Sequence, residues 1–119
     1  MGDIGMELND TQKMAIQFNK MARKKLGKKV DGFCILDIYD NEDNRSFSVE
    51  FIAYDYFSVR LNYDRGRFSC SIMYGKNSIE LTNSQKWWDE ANFDLFFEEL
   101  QVELELRIPD KFLKNRGWL

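Results

Sequence analysis

Apolar and polar residues alternate in three consecutive segments between residues 45 and 74. A period of two places the apolar residues on one face of a β-strand, so each segment predicts a strand with one buried face. The link Asp64-Arg65-Gly66-Arg67 is typical of a tight turn, because glycine adopts positive φ without steric cost. Links this short require antiparallel pairing. The apolar positions are Phe47, Val49, Phe51 and Ala53, then Phe57, Val59, Leu61 and Tyr63, then Phe68, Cys70, Ile72 and Tyr74.

An amphipathic helix is predicted before the strands. Asn9 is a good N-cap with Gln12 three residues later, and Gly27 is a typical stop. The spacing of 3.6 residues assigns the buried arc to Met14, Phe18, Met21 and Lys25, flanked by Ala15, Ala22 and Leu26. It assigns the solvated face to Lys13, Lys20, Arg23 and Lys24.

Residues 32–39 predict a further strand, which is apolar at both odd and even positions. Such a strand is expected at the centre of a sheet, or between helices that cover both of its faces. A polar turn follows over residues 40–44. Its acids resemble those of a calcium loop, but the required glycine and the terminal glutamate are missing, so we expect no metal site.

The chain after residue 74 predicts a short strand over residues 78–82 and then a long acidic helix. We expect the helix to begin near Gln85, with Asn83 or Ser84 as its cap, and to include Trp87 and Trp88. Residues 102–108 also alternate as an edge strand would, although the Leu/Glu/Gln composition favours helix. Pro109 ends this segment and starts a short helix through Lys114, with Trp118 as an anchor.

The predicted acidic helix carries two apolar stripes on nearly opposite sides. One stripe is Phe93, Phe96, Phe97, Leu100 and Leu104, and the other is Leu95, Val102 and Leu106. The first stripe must face the core. The second either packs inside the protein, with the basic face of the first helix answering the acids, or is offered to a partner.

These elements predict a single α+β domain over residues 1–119. Its expected core is an antiparallel β-meander of four to five strands, flanked by an N-terminal helix and a C-terminal acidic amphipathic helix. The chain has no apolar run long enough to span a bilayer, and residues 1–10 lack the features of a signal peptide. We therefore expect a cytoplasmic protein with no membrane partner.

Catalytic chemistry finds little support in the sequence. The chain has no histidine, no glycine-rich phosphate loop and no nucleophile motif. Cys34 and Cys70 lie inside strand patterns and are interpreted as small buried hydrophobic residues. We expect neither an enzyme nor a bound cofactor.

Charge is distributed unevenly along a chain of net charge −3. The first 36 residues are basic, and residues 89–105 contain seven acids and no cation. Arginines alternate with aromatic residues over residues 56–68, but the apolar pattern assigns most of those rings to the core, and the acidic half would repel nucleic acid. An acidic, apolar surface suits a basic protein partner instead. The candidate partner-binding residues are Asp37, Asp40, Glu42, Asp43, Asp89, Glu90, Asp94, Glu98, Glu99, Glu103 and Glu105, with Leu95, Val102 and Leu106.

The layout resembles bacterial toxin-immunity proteins, in particular those of contact-dependent growth inhibition. The resemblance lies in an acidic α+β chain with an N-terminal helix, an antiparallel meander and a Phe/Glu-rich C-terminal helix, and in the ending LELRIPDKFLKNRGW. It implies a cytoplasmic inhibitor, monomeric before binding, that neutralises a cognate basic toxin domain such as a nuclease. The alternative is a small acidic secretion chaperone of the type III kind. Such chaperones are dimers that bind an extended effector segment.

Overall fold

The helices and strands of the computed structural model are defined for residues 10–41 and 43–119. In chain order they are α1 (Asp10–Leu26), β1 (Val30–Asn41), β2 (Asn44–Ala53), β3 (Phe57–Asp64), β4 (Arg67–Tyr74), β5 (Asn77–Glu80), α2 (Phe93–Glu105) and α3 (Asp110–Asn115). Within these residues the strands form one antiparallel sheet in the order β1-β2-β3-β4-β5. The predicted α+β meander is thus confirmed.

The alternating residues of β2, β3 and β4 form the sheet side of the core. The register places Val49 opposite Leu61 and Leu61 opposite Cys70, and all three are buried. The turn at Arg65 and Gly66 has positive φ at both residues, which matches the right-handed twist of the two strands it joins. The period of two therefore selects the buried face of the central strands correctly, except that Tyr74, the last residue of β4, is exposed.

α1 packs on this face through Phe18, which is fully buried. Its ring lies 6.3 Å from that of Phe51, 6.4 Å from that of Phe96 and 5.5 Å from that of Phe97. The helix ends at Leu26, as predicted, and Gly27 follows with a φ of +56°. The predicted N-cap, Asn9, lies outside the described residues. Lys25 was assigned to the buried arc, but it is exposed.

β1 lies at the edge of the sheet, which corrects the prediction that it is central or covered on both faces. Two bulges interrupt its pairing with β2, one between Asp31 and Cys34 and the other between Leu36 and Tyr39. Each bulge adds one residue and reverses the alternation that follows. Apolar residues of both parities consequently meet the core side, namely Phe33, Ile35 and Ile38. The apolar pattern of β1 reflects these bulges.

The chain between β5 and α2 differs from the prediction. α2 begins at Phe93, and Asn92 is its N-cap, whose side chain accepts a hydrogen bond from the Leu95 amide at 3.1 Å. Residues 81–92 are largely irregular because tertiary contacts engage them. Trp87 forms an isolated antiparallel β-bridge with Arg67 at the start of β4. Trp88 fills the core between β2, β3, β4 and α2, with its ring near those of Phe47, Tyr63, Phe68 and Phe93.

The end of the chain closes the core beside the turn between β2 and β3. Residues 102–105 are helical, so the alternative edge strand is wrong. Pro109 precedes α3, and Trp118 packs edge-on against Tyr54 at 5.3 Å, which agrees with its predicted anchoring role. Arg116 binds Asp55 of the turn at 2.6 Å. Across residues 10–41 and 43–119, no helix is long and apolar enough to cross a membrane.

Candidate partner-binding surface

The two apolar stripes of α2 differ in burial. Phe96, Phe97, Leu100 and Leu104 are buried against α1 and the sheet, with Phe93 partly buried beside them. The other stripe lies in solvent: Leu95 is 37% exposed, Val102 58% and Leu106 73%. The second stripe is therefore not part of the core of the described residues. Large apolar side chains exposed together are typical of interaction sites.

A shallow depression of about 320 Å³ lies along this stripe. We call it, together with Leu106, the α2 outer surface. The depression itself brings together five of the predicted site residues with Thr82, which follows β5. Its lining residues are Thr82, Leu95, Glu98, Glu99, Val102 and Glu103. An apolar floor with carboxylates at its rim is therefore present on one helix.

Two of the rim carboxylates are held in place by neighbouring groups. Glu99 accepts hydrogen bonds from the backbone amide of Ser84 at 2.7 Å and from its hydroxyl at 2.5 Å. These hydrogen bonds lower the pKa of the Glu99 carboxyl, because they favour its charged form. Glu103 lies 3.4 Å from Arg107 one helical turn later. The rim is thus partly pre-ordered, which reduces the entropy lost on binding.

Asp94, Glu98 and Glu105 of α2 lie beside lysines of α1 and of the residues that follow it, and Glu98 also lines the α2 outer surface. Lys25 lies 3.7 Å from Asp94 and 3.9 Å from Glu98. Glu105 lies 3.9 Å from Lys29. The basic side of α1 therefore answers part of the acidic charge of α2, as the packing alternative predicted, while the apolar stripe stays uncovered.

Two acids precede α2 in the turn Trp88–Glu90. Asp89 and Glu90 are exposed, and within residues 10–41 and 43–119 their carboxylates make no hydrogen bond or ion pair. Their charges are unopposed locally. They extend the acidic character of this region toward the N-terminal end of α2.

The acids near the first hairpin are placed elsewhere. Asp37 lies 2.7 Å from Arg60, on the sheet face opposite α1 and α2. Asp40 bonds to Thr11 at the start of α1 and lies 3.3 Å from Arg45. Asp43 is exposed, and Glu42 lies outside the described residues. The structure therefore does not bring Asp37 to the α2 outer surface, and cations within the chain partly neutralise Asp37 and Asp40.

The sheet face opposite α1 and α2 contains features that the sequence interpretation missed. Arg60 at its centre reaches Glu50 at 3.3 Å and Ser48 at 3.2 Å, in addition to Asp37. Tyr39 and Trp87 are exposed there, 57% and 50%. The sequence contains a signal for this face, because the polar members of the three alternating strands include six serine or asparagine residues and only two acids, Glu50 and Asp64.

The arginine–aromatic pattern of residues 56–68 does not form a stacking platform. Phe57, Tyr63 and Phe68 are buried in the core. Arg60 is occupied by carboxylates, and Arg65 lies 3.1 Å from Asp64. Of the aromatic rings in this pattern, Tyr56 alone is exposed, so the pattern does not present a row of rings on which successive bases could stack.

Cys34 corrects another prediction. Cys70 is buried, as expected, and burial raises the pKa of its thiol far above the usual range. Cys34 is exposed, because β1 lies at the edge and turns this residue away from the core.

Comparisons of the chain with protein-family models, curated proteins and solved structures find no significant match.

Proposed function

We propose that this chain is an immunity protein that binds a basic bacterial toxin domain, a nuclease in the simplest case, and blocks its activity in the cytoplasm. The observation that carries the proposal is the exposed stripe Leu95, Val102 and Leu106 on a helix whose other stripe is in the core. Carboxylates border this stripe on both sides, so apolar contact and charge complementarity are available to the same partner.

The physical roles of the two components differ. Burying one exposed valine or leucine side chain contributes about 1.5–3 kcal/mol, and association costs roughly 4–15 kcal/mol in lost freedom. Three apolar side chains thus form the centre of an interface but cannot supply all of it. The surrounding acids accelerate encounter with a basic domain and disfavour acidic ones. A nuclease suits this surface, because its active site must hold phosphate and is therefore basic.

The test uses the toxin domain encoded next to the gene for this chain. Co-expression should restore growth, and the purified proteins should form a 1:1 complex in which the toxin's nuclease activity is blocked. Val102→Arg combined with Leu106→Arg should abolish protection, since both side chains are exposed and the fold does not require them. Tyr39→Arg, on the opposite face of the sheet, is the matched control and should protect like the unchanged chain.

Two results would overturn the proposal. One is the absence of both complex and growth rescue. The other is a stable dimer of this chain that binds an extended effector segment without inhibiting any toxin, which is the behaviour of a secretion chaperone. A double variant that still protects would show that the contact lies elsewhere.

A further inference from the structure

β5 is an edge strand of the sheet, and Thr82, two residues after it, lines the depression of the α2 outer surface. We propose that the partner adds a β-strand to this edge and packs its side chains on α2. The inference rests on the proposed function, which supplies the basic character of the partner. It adds that the partner binds as a β-strand and that backbone groups of β5 form hydrogen bonds with this strand.

The backbone register identifies the groups that are available. The Leu81 amide donates to the Cys70 carbonyl at 2.8 Å, so Cys70 and Leu81 form a hydrogen-bonded pair. Hydrogen-bonded pairs alternate along an antiparallel ladder, so Ile79 bonds to its partner Ile72 while Ser78 and Glu80 do not bond to β4. The backbone N–H and C=O groups of Ser78 and Glu80 consequently point away from the sheet.

The two edges of the sheet differ in how they are protected. β1 carries two bulges, with Gly32 at φ +67° and Asp37 at φ +51°, and bulges of this kind disrupt pairing with another strand. β5 pairs with β4 without a register shift, and all four of its residues are exposed. β5 is therefore the edge that can accept a strand, although its length limits the added pairing to two residues. Most of the affinity must come from side chains on α2.

Side chains on the two faces of β5 define what the added strand must carry. Ile79 faces the side on which α1 and α2 lie, as does its buried partner Ile72, and it is 45% exposed. Glu80 lies on the other side, within 3.4 Å of Ser69. A strand with apolar residues toward Ile79 and Val102 and basic residues toward Glu80 satisfies both faces. The carboxylates of Glu98, Glu99 and Glu103 favour further basic residues at its ends.

Charge selects this occupant over two others. A second copy of the chain paired through Ser78 and Glu80 of β5 would bring the α2 carboxylates of both copies to the same side of the joined sheet, and like charges near each other are destabilising. Residues 1–9 of the chain contain Asp3 and Glu7 and no lysine or arginine. They therefore lack the charge that this surface attracts.

The experiment uses a defined probe, the capped heptapeptide acetyl-Lys-Val-Lys-Val-Lys-Val-Lys-amide. Its control is the same peptide N-methylated at alternate residues, which cannot hydrogen-bond along one edge. In about 150 mM salt, amide exchange measured by NMR should slow at least tenfold at Ser78 and Glu80 with the first peptide and not with the second. Methyl signals of Ile79 and Val102 should shift with the same saturation curve.

A pair of variants isolates the backbone contribution. Ser78→Pro removes an N–H that points away from β4, so the β4–β5 ladder stays intact, and peptide affinity should fall at least tenfold. Ser78→Ala keeps the N–H and should change affinity less than twofold. Thermal unfolding checks that each variant folds, and the exchange measurement on the unchanged chain does not depend on either variant.

The inference is overturned if Ser78 and Glu80 exchange at unchanged rates, if signals shift only on α2 or around Tyr39, or if the chain sediments as a dimer paired through β5. The same exchange measurement with catalytically inactive toxin domain separates the two proposals. If the complex inhibits the toxin but these two amides stay unprotected, the strand-addition proposal is rejected and the immunity proposal stands. If the peptide adds a strand to β5 but the chain does not inhibit the toxin, the immunity proposal is rejected.

Discussion

The hydroxyl of Tyr54 donates a hydrogen bond to the carboxylate of Glu105 at 2.5 Å. This contact joins the turn between β2 and β3 to the last residue of α2. Lys29 lies 3.9 Å from the same carboxylate and donates to Gln101 at 3.1 Å. These bonds help to fix the rotation of α2 about its axis, so that Leu104 enters the core and Val102 stays in solvent.

Tyr54→Phe should destabilise the protein and change its alkaline stability. Burial and the Glu105 carboxylate raise the pKa of Tyr54 well above its ordinary value of 10.0. The folded state thus favours the neutral phenol. Its contribution is fully present below about pH 10, the pKa of an unfolded tyrosine, and declines as the pH rises above that value. Loss of the hydrogen bond should lower the free energy of unfolding by about 1–2 kcal/mol at pH 7.

Urea unfolding at pH 7 and across pH 9–11 measures both effects. The slope of stability against pH above pH 10 should be shallower in Tyr54→Phe than in the unchanged chain. Tyr74→Phe is the control for removing a tyrosine hydroxyl, because Tyr74 is exposed, and it should leave the free energy of unfolding at pH 7 unchanged. An unchanged alkaline slope in Tyr54→Phe would contradict the assignment.

Phe18→Ala should cost about 3–5 kcal/mol of unfolding free energy, as expected for a large-to-small change in a packed core. Phe18 is the ring through which α1 contacts both β2 and α2, so the cavity would open where three elements meet. Denaturant titration followed by circular dichroism gives the value. Lys20→Ala, on the exposed side of the same helix, should stay within about 0.5 kcal/mol.

The rim acids should govern how fast the toxin domain binds. Glu98→Gln together with Glu103→Gln should slow association several-fold at low salt, and the difference should shrink as salt rises, because charges are screened beyond about 8 Å at physiological ionic strength. Stopped-flow measurements at two salt concentrations test this.

Asp37→Asn is the matched control for the rim acids, because Asp37 is ion-paired as they are, with Arg60, but lies on the opposite face of the sheet. It should leave the association rate within twofold. A loss of rate in Asp37→Asn equal to that of the α2 variant would move the contact to the open face of the sheet.

The two thiols should react at very different rates. Cys34 is exposed, whereas Cys70 is buried and its raised pKa disfavours the reactive thiolate. A thiol reagent at neutral pH should modify one cysteine in the folded protein, and Cys34→Ser should abolish this reaction. Rapid labelling of Cys70 without denaturant would show that β4 opens readily.

The sequence by itself determined the elements whose pattern and burial agree. The alternation from Phe47 to Ile72 specifies both the strands and their buried face, because a period of two leaves no choice once one face must leave water. Gly66 specifies its turn, and Gly27 the end of α1, through the backbone conformations that each position requires. The two apolar stripes of α2 could also be recognised from the helical spacing of the sequence.

Only the tertiary structure decided what each ambiguous segment does. The start of α2 moved to Phe93 because Trp87 is used in a bridge to Arg67 and Trp88 in the core, and local helix propensity does not include those long-range contacts. β1 is apolar at both odd and even positions, which predicts a central strand. In the structure β1 is an edge strand, and bulges near Gly32 and Asp37 turn residues of both parities toward the core. The sequence predicts that Phe96 and Phe97 face the core, but it leaves open whether the second stripe of α2 is also covered. The larger rings of Phe96 and Phe97 fill the space beneath α1, and this leaves Leu95, Val102 and Leu106 outside.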